Sequence, residues 1–284
     1  MRQLRILPFA AAALAACLAA APGRAATLQV EYEISLSGFS VGSADATASL
    51  NGDRYSMQIQ ARLTGLAGAI TGGRLGASAS GSVSTAKPLP SAYAVTSQSA
   101  TEQRTVRLGM ARGNVASVDI APPIEDRGGE RVPIRELHKR GVIDPVSALL
   151  MPFYGRGEAA DPAACNRTLP VFDGAARFDI VLSYAETRVV DRPGYAGPVV
   201  ICNARYVPIA GHRPDRPGTR FMQENQEISV WLAPVEGTRI LVPMRITVKT
   251  MMGVTVIDAQ RWTQERDARP IPAAARRRGK AARL

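Results

Sequence analysis

The chain is short of the residues from which most catalytic centres are built. Its 284 residues contain two histidines, His138 and His212, and three cysteines, Cys17, Cys165 and Cys202. No pair among these has zinc-ligand spacing, and no Gly-rich loop follows a strand-like run as a phosphate cradle would. His138 lies in the polar run Arg135-Glu136-Leu137-His138-Lys139-Arg140 and reads as solvated. His212 lies between Gly211 and Pro214 in a loop, where function concentrates, yet no nucleophile with an orienting acid accompanies it. The sequence therefore predicts no enzyme, no catalytic residues, no cofactor and no metal. Asp173 and Asp179 could be cast as a general-acid pair, but Asp173 reads as a turn residue and Asp179 as facing water.

Long apolar runs are scarce as well. The single extended one, Ile6 to Ala21, is interrupted by Pro8 and is shorter than the roughly 20 residues a spanning helix needs, so with Arg2 and Arg5 before it the pattern is that of a secretory signal peptide. Pro22 stops the apolar segment, and Gly23-Arg24-Ala25 suits signal-peptidase cleavage before Ala26. Leu14-Ala15-Ala16-Cys17 also fits a lipobox, which would make Cys17 a lipidated N-terminus, although the apolar stretch Leu18 to Ala21 stands where a polar tether is usual. Either route places the protein in the periplasm, free or anchored. The expected organisation is a signal peptide over 1–25, one β-rich domain over 26–267 and a tail over 268–284.

Lysine is rare too: four of the 35 basic residues. The formal charge of +11 suggests a nucleic-acid partner until it is located. Three arginines fall in residues 1–25 and six basic residues follow Asp267, leaving 26 basic against 24 acidic residues in between. The body is near neutral, no nucleic acid is expected, and the tail's Arg276-Arg277-Arg278, Lys280 and Arg283 instead suit an anionic envelope surface. The Pro- and Ala-rich tail has no apolar face to bury and should be disordered in isolation.

What the sequence has in quantity is strands. Val30, Tyr32, Ile34 and Leu36 alternate with Glu31, Glu33 and Ser35, and Tyr55, Met57 and Ile59 repeat the period of two. Similar runs cover 92–96, 104–108, 178–184, 199–206, 228–232, 240–249 and 254–262. Long amphipathic helices do not alternate with them, so the expected fold is mainly β: an antiparallel curved sheet or half-open β-barrel with one or two short helices. One helix is predicted from Asp144 through Phe153, with Asp144 as its cap, Pro145 at its first position and Ser147 as an ordinary first-turn residue, because no Gly-x-Ser-x-Gly turn presents it as a nucleophile. Its apolar face would plug or cover one side of the sheet.

Asp173-Gly174 predicts a two-residue hairpin turn in which Phe172 pairs with Ala175 and Leu169 with Phe178. That register turns Cys165 toward the core, and Cys202 alternates with Val200 and Ala204 on an apolar face. Two core-facing cysteines in an exported chain are expected to form a disulfide, Cys165–Cys202. Two strand spacings, about 9.6 Å, would be too far to bridge, so the bond requires Cys165 to lie before regular pairing begins or the sheet to fold over. A pair of buried thiols is the alternative.

These segments carry a resemblance. Asp144-Pro145-x-Ser147-Ala148-Leu149-Leu150, Val171-Phe172-Asp173-Gly174 with Arg177-Phe178-Asp179, and Cys202 followed by Tyr206-x-Pro208-Ile209-x-Gly211-His212 resemble an exported bacterial family, the domain of unknown function 3108. The resemblance implies a periplasmic β-rich protein without assigned activity, in architecture similar to the half-open barrels of lipoprotein carriers. Two functions follow. Either the sheet binds a lipid-like or other apolar ligand, with Leu63 to Ile70 as a lid or an ordinary Gly-rich connection, or the protein is a non-enzymatic assembly or interaction factor of the envelope with a filled core. The oligomeric state is not legible.

Overall fold

The computed structural model describes residues 25–65, 68, 72–84, 87–153 and 162–266; the expected signal peptide up to residue 24 with Cys17, the expected basic tail and half of the Leu63 to Ile70 segment lie outside them. Seven strands come first: β1 (Ala25–Leu36), β2 (Phe39–Asn51), β3 (Arg54–Leu63), β4 (Arg74–Val83), β5 (Pro88–Gln98), β6 (Gln103–Ala111) and β7 (Asn114–Ala121). After a long crossing come β8 (Met151–Pro152), β9 (Arg167–Phe172), β10 (Arg177–Arg192), β11 (Tyr195–Ala210), helix α1 (Pro217–Glu224), β12 (Ile228–Pro234), β13 (Ile240–Thr250) and β14 (Gly253–Arg266). All the strand pairings are antiparallel, in the order β7-β6-β5-β4-β3-β2-β1-β14-β13-β12-β11-β10-β9, with β8 beside β13. The sheet is mainly β as expected, curved and not closed into a barrel.

The edges β7 and β9 are joined by the crossing segment instead of by each other. Asn114 bridges Arg140, the Val142 amide donates to the Gly113 carbonyl at 2.9 Å, Ile143 donates to Pro170 at 2.9 Å, and Phe172 donates back to Ile143 at 2.9 Å. Beyond Ile143 the chain enters the concave face. Val142, Val146 and Leu150 pack there with Phe172, Val199, Val242 and Trp262 against the inward positions of β1 to β6, such as Leu28, Met57, Ala79 and Leu108. A second apolar layer lies on the opposite face of β9 to β13, where Met151, Phe153, Ala164 and Cys165 cover Val200, Cys202, Leu232 and Leu241. That double covering explains why Ile240 to Met244 is an unbroken buried run instead of an alternating one.

Two local expectations are corrected. The Asp144–Phe153 run forms only one 3₁₀ turn, Ser147–Leu149, because Leu150 returns to extended backbone and Met151 and Pro152 pair with Leu241 and Ile240. An α-helix that the sequence did not mark is α1, opened by Pro217 in its first turn. In the hairpin Phe172 pairs with Arg177, and Val171 with Phe178, so the connection spans Asp173 to Ala176. Asp173 makes the longer turn: its carboxylate accepts the Ala175 and Ala176 amides at 2.8 and 2.6 Å, an arrangement a two-residue turn cannot offer. The two-residue slip keeps the side-chain faces, so Leu169 and Val171 still share one buried face, that of the second apolar layer.

The long β10–β11 hairpin reaches back to β14. Trp262 donates its backbone N–H to Pro193 at 3.0 Å and its ring lies 5.7 Å from that of Tyr195. Gly194, at φ +85°, sits so close that a Cβ would fall 1.7 Å from the Trp262 carbonyl oxygen. Gly38 has a similar φ of +87° with nothing within 4 Å of its Cβ position. Gly194→Ala should therefore destabilise by well over about 1 kcal/mol in urea unfolding, and Gly38→Ala by less, the difference being the Trp262 contact. Equal losses would mean that the hairpin tip is held elsewhere.

Candidate functional site

The most concentrated polar chemistry lies where the crossing segment meets the inner face. Tyr55 is the first inward residue of β3, and Asp144 opens the 3₁₀ turn. The Asp144 carboxylate accepts the Val146 and Ser147 amides at 3.0 and 2.8 Å through Oδ1 and the Ser147 hydroxyl at 2.5 Å through Oδ2. Ser147 Oγ is 2.6 Å from the Tyr55 hydroxyl, so with its own proton given to Asp144 it accepts from Tyr55. Asp144 and Ser147 are 0 % exposed. Asp144 caps the turn as the sequence predicts, but Ser147 is a fully buried link, not an ordinary first-turn residue, because the turn is packed inside the sheet.

Burial holds the Asp144 carboxyl above the usual carboxylate range against the opposing pull of its hydrogen bonds. Asp173 is raised for the same reason, although its two amide donors and the positive charge of Arg131 pull it down. Tyr55 and Tyr93 are pushed up, first by burial, and both carboxylates add to the effect at Tyr93. Chemically the arrangement is a proton-sharing brace. It fixes the inserted turn and presents no reactive atom to solvent.

The other residues singled out by sequence disperse. Asp179 does not face water freely: Arg177 holds it at 2.6 Å. His138 accepts the Arg135 amide through Nδ1 at 3.1 Å within its own turn. His212 is half-buried, which lowers its pKa, and its carbonyl accepts the Val132 amide at 2.9 Å. Gly38-Phe39-Ser40-Val41-Gly42 matches Gly-x-Ser-x-Gly, a match passed over in the sequence, but it forms an antiparallel hairpin between β1 and β2 and not a strand-to-helix elbow. Among the described residues no group of three His, Cys, Asp or Glu is placed to hold a metal ion.

Cys165 and Cys202 form a disulfide, with Cα atoms 5.3 Å apart. The separation that would have prevented it does not arise, since Cys165 sits in a 3₁₀ turn (Pro162–Cys165) before β9 begins and lies over Cys202 of β11. Cys165→Ala/Cys202→Ala should lose about 3 to 4 kcal/mol of unfolding free energy, as expected for a bond closing a loop of 37 residues, and native protein denatured without reductant should take up no alkylating label at either position.

Two depressions accompany the brace. A groove of about 560 Å³ runs over the outer face of β3 to β7, floored by Ser56, Ser78, Ser80, Ala94 and Gly109, with Arg107 and Asp119 paired at 3.1 Å on its rim. A cleft of about 280 Å³ lies among Lys87, Leu150, Pro152, Asn166 and Pro170. The outer groove has the volume of a ligand site but is walled mostly by small side chains, whereas the concave face, the natural place for an apolar ligand, is filled. Tyr55 and Tyr93 escaped the sequence reading because an inward tyrosine in an alternating strand looks like any core residue; the Asp-Pro-x-Ser spacing was the available signal for their partner.

A family model described as "Protein of unknown function (DUF3108)" matches residues 31–260. Among solved structures, a β-barrel-like protein of the domain of unknown function DUF1849 from Brucella abortus is similar at 7 % identity and a TM-score of 0.47, covering 86 % of this chain and 99 % of that one. No curated protein matches.

The brace makes a pH prediction. A carboxyl whose pKa is raised by folding contributes stability below its unfolded value, near 3.9, and that contribution is lost as pH rises through the raised folded value. The native protein should therefore lose stability relative to Asp144→Asn as pH rises above about 4, measured as urea midpoints. A gap that stays constant over this range would show that Asp144 does not titrate there.

Proposed function

We propose that this chain, which belongs to the DUF3108 family, is an exported, non-enzymatic interaction factor of the cell envelope that binds through its surface. One observation carries the reading: the concave face is occupied by the protein's own Val142, Val146, Leu150 and Phe172, each no more than 4 % exposed. An apolar ligand in that space would have to expel them, together with the Asp144 brace, and would lose the packing that joins the two halves of the sheet. The disulfide is consistent with an oxidising compartment such as the periplasm. An apolar-ligand carrier of the same fold would need an open lumen, so the packed interior favours surface binding.

Native mass spectrometry of the exported protein tests this. The expected species is the polypeptide alone, carrying one disulfide and beginning at Ala26. A stoichiometric co-purified lipid would replace the surface-binding reading with the carrier reading, and a mass carrying acyl chains on Cys17 would replace the free form with an anchored one.

A further inference from the structure

We propose that one end of the sheet, the rim formed by the β1–β2 and β13–β14 turns and the adjoining ends of β3 and β4, is a docking surface for an anionic lipid bilayer. The inference rests on the surface-binding reading above. The two turns and the end of β3 lie side by side there: Ser37 donates its amide to Val254 at 2.8 Å, and Thr64 donates to Val41 at 2.8 Å. From β4 to β13 the rim is six strands wide, about 24 Å at normal strand spacing. It projects large apolar side chains into solvent. Met252 is 81 % exposed, Phe39 77 % and Met251 62 %, with Leu63, Leu75 and Val254 beside them. Neither Leu36 to Val41 nor Thr250 to Thr255 contains a charge. Apolar side chains gathered on adjoining tips cost solubility and mark a contact surface more readily than scattered ones.

Charge identifies the partner. Arg62 and Arg74 face each other directly across β3 and β4, both exposed, flanked in the same row by Ser43 on β2 and Gln98 on β5. Like charges in opposed positions destabilise a strand pair, and the nearest acid in the row, Glu33, lies two strands beyond Arg62. Lys249, the remaining cation near the tips, is held by Glu227. A phosphate between the two guanidinium groups would relieve the repulsion through paired charge-assisted bonds. A bilayer surface offers that phosphate and, beside it, the acyl boundary that would take Phe39, Met251 and Met252. The strand ends joined to the signal peptide and the tail lie at the opposite end: Ala26 pairs with Arg266, ten residues of ladder from Leu36. Binding through the rim is thus separable from binding through the tail.

Flotation of residues 25–284, which contain all the strands described, with phosphatidylcholine vesicles and with phosphatidylcholine–phosphatidylglycerol vesicles tests the proposal. The wild type should bind the anionic vesicles, and F39S/M251S/M252S should weaken that binding by at least about tenfold without moving the unfolding temperature. R62Q/R74Q should abolish the preference for anionic over neutral vesicles and leave the fold equally or more stable. A chain ending at Arg266 should retain most of the rim-dependent binding. No vesicle binding by the wild type, unchanged binding by the triple variant, or loss of all binding with the tail alone would overturn the rim proposal. None of these outcomes touches the surface-binding reading, which a lumenal lipid in native mass spectrometry would overturn by itself.

Discussion

The architecture depends on how an open sheet disposes of its two edges. Each free edge exposes a row of backbone donors and acceptors, and a curled sheet brings the two rows close without bringing them into register. Here one strand-like segment, residues 140–143, serves both: it donates a bond to the β6–β7 turn and exchanges two with β9. Having closed the gap, the chain has nowhere to go but inward. The amides of Val146 and Ser147 are then buried with no strand to receive them, and an unpaired buried amide costs about 1 to 3 kcal/mol. Asp144 accepts both, so a carboxylate in an apolar interior is the condition for closing the sheet with a plug.

That condition also explains the division of the core. The residues that pass through the gap contribute to both apolar layers, Val142, Val146 and Leu150 to the inner one and Ile143, Ala148 and Met151 to the outer one. The disulfide fastens the outer layer down on β11 at the point where the crossing segment returns to the sheet. Long β10 and β11 then cross over the inner side as far as Trp262, where Arg192 and Arg245 both approach Asp258, at 3.0 and 3.6 Å. First and last strands are paired along almost their whole length, so the two halves share one sheet and one interior.

Much of this was legible in the sequence, unevenly. Strands with β-branched or aromatic residues on one face, β1, β3 and β12, announce themselves by alternation, and β13 by its continuous apolar run. β2 and β4 do not: Ser-Ala-Asp-Ala-Thr-Ala-Ser and Gly-Ala-Ser-Ala-Ser-Gly have a period of two, but in residues whose own strand preference is weak, and they are strands because both neighbours supply a ladder. Helix signals at Asp144-Pro145 were real but overridden, since pairing of Met151 and Pro152 with β13 won over continuing a helix whose other face had no water to meet. α1 was missed because eight residues with Pro and Gly at its start carry almost no helical signal. The disulfide could be read as two buried cysteines in a chain expected to be exported, but its geometry could not, because it depends on a turn placed above the sheet and not on strand register.

Filling the interior has a consequence for where binding can happen. A half-open barrel offers three surfaces: its lumen, its outer face and its rims. The lumen is spent on Val142, Val146, Leu150 and the Asp144 brace, and the outer face over β3 to β7 is a shallow floor of serine, alanine and glycine with little area per residue to offer. Among the described residues the rim carries Met252, Phe39 and Met251, three of the four most exposed large apolar side chains, which gain by leaving water. Hairpin tips can bear such residues at low cost to folding, since nothing in the ladder depends on Phe39, Met251 or Met252. Opposed Arg62 and Arg74 are different, for they burden the β3–β4 pairing and return nothing to the isolated chain. A residue pair that works against its own strand pairing is best understood through what it meets outside the protein.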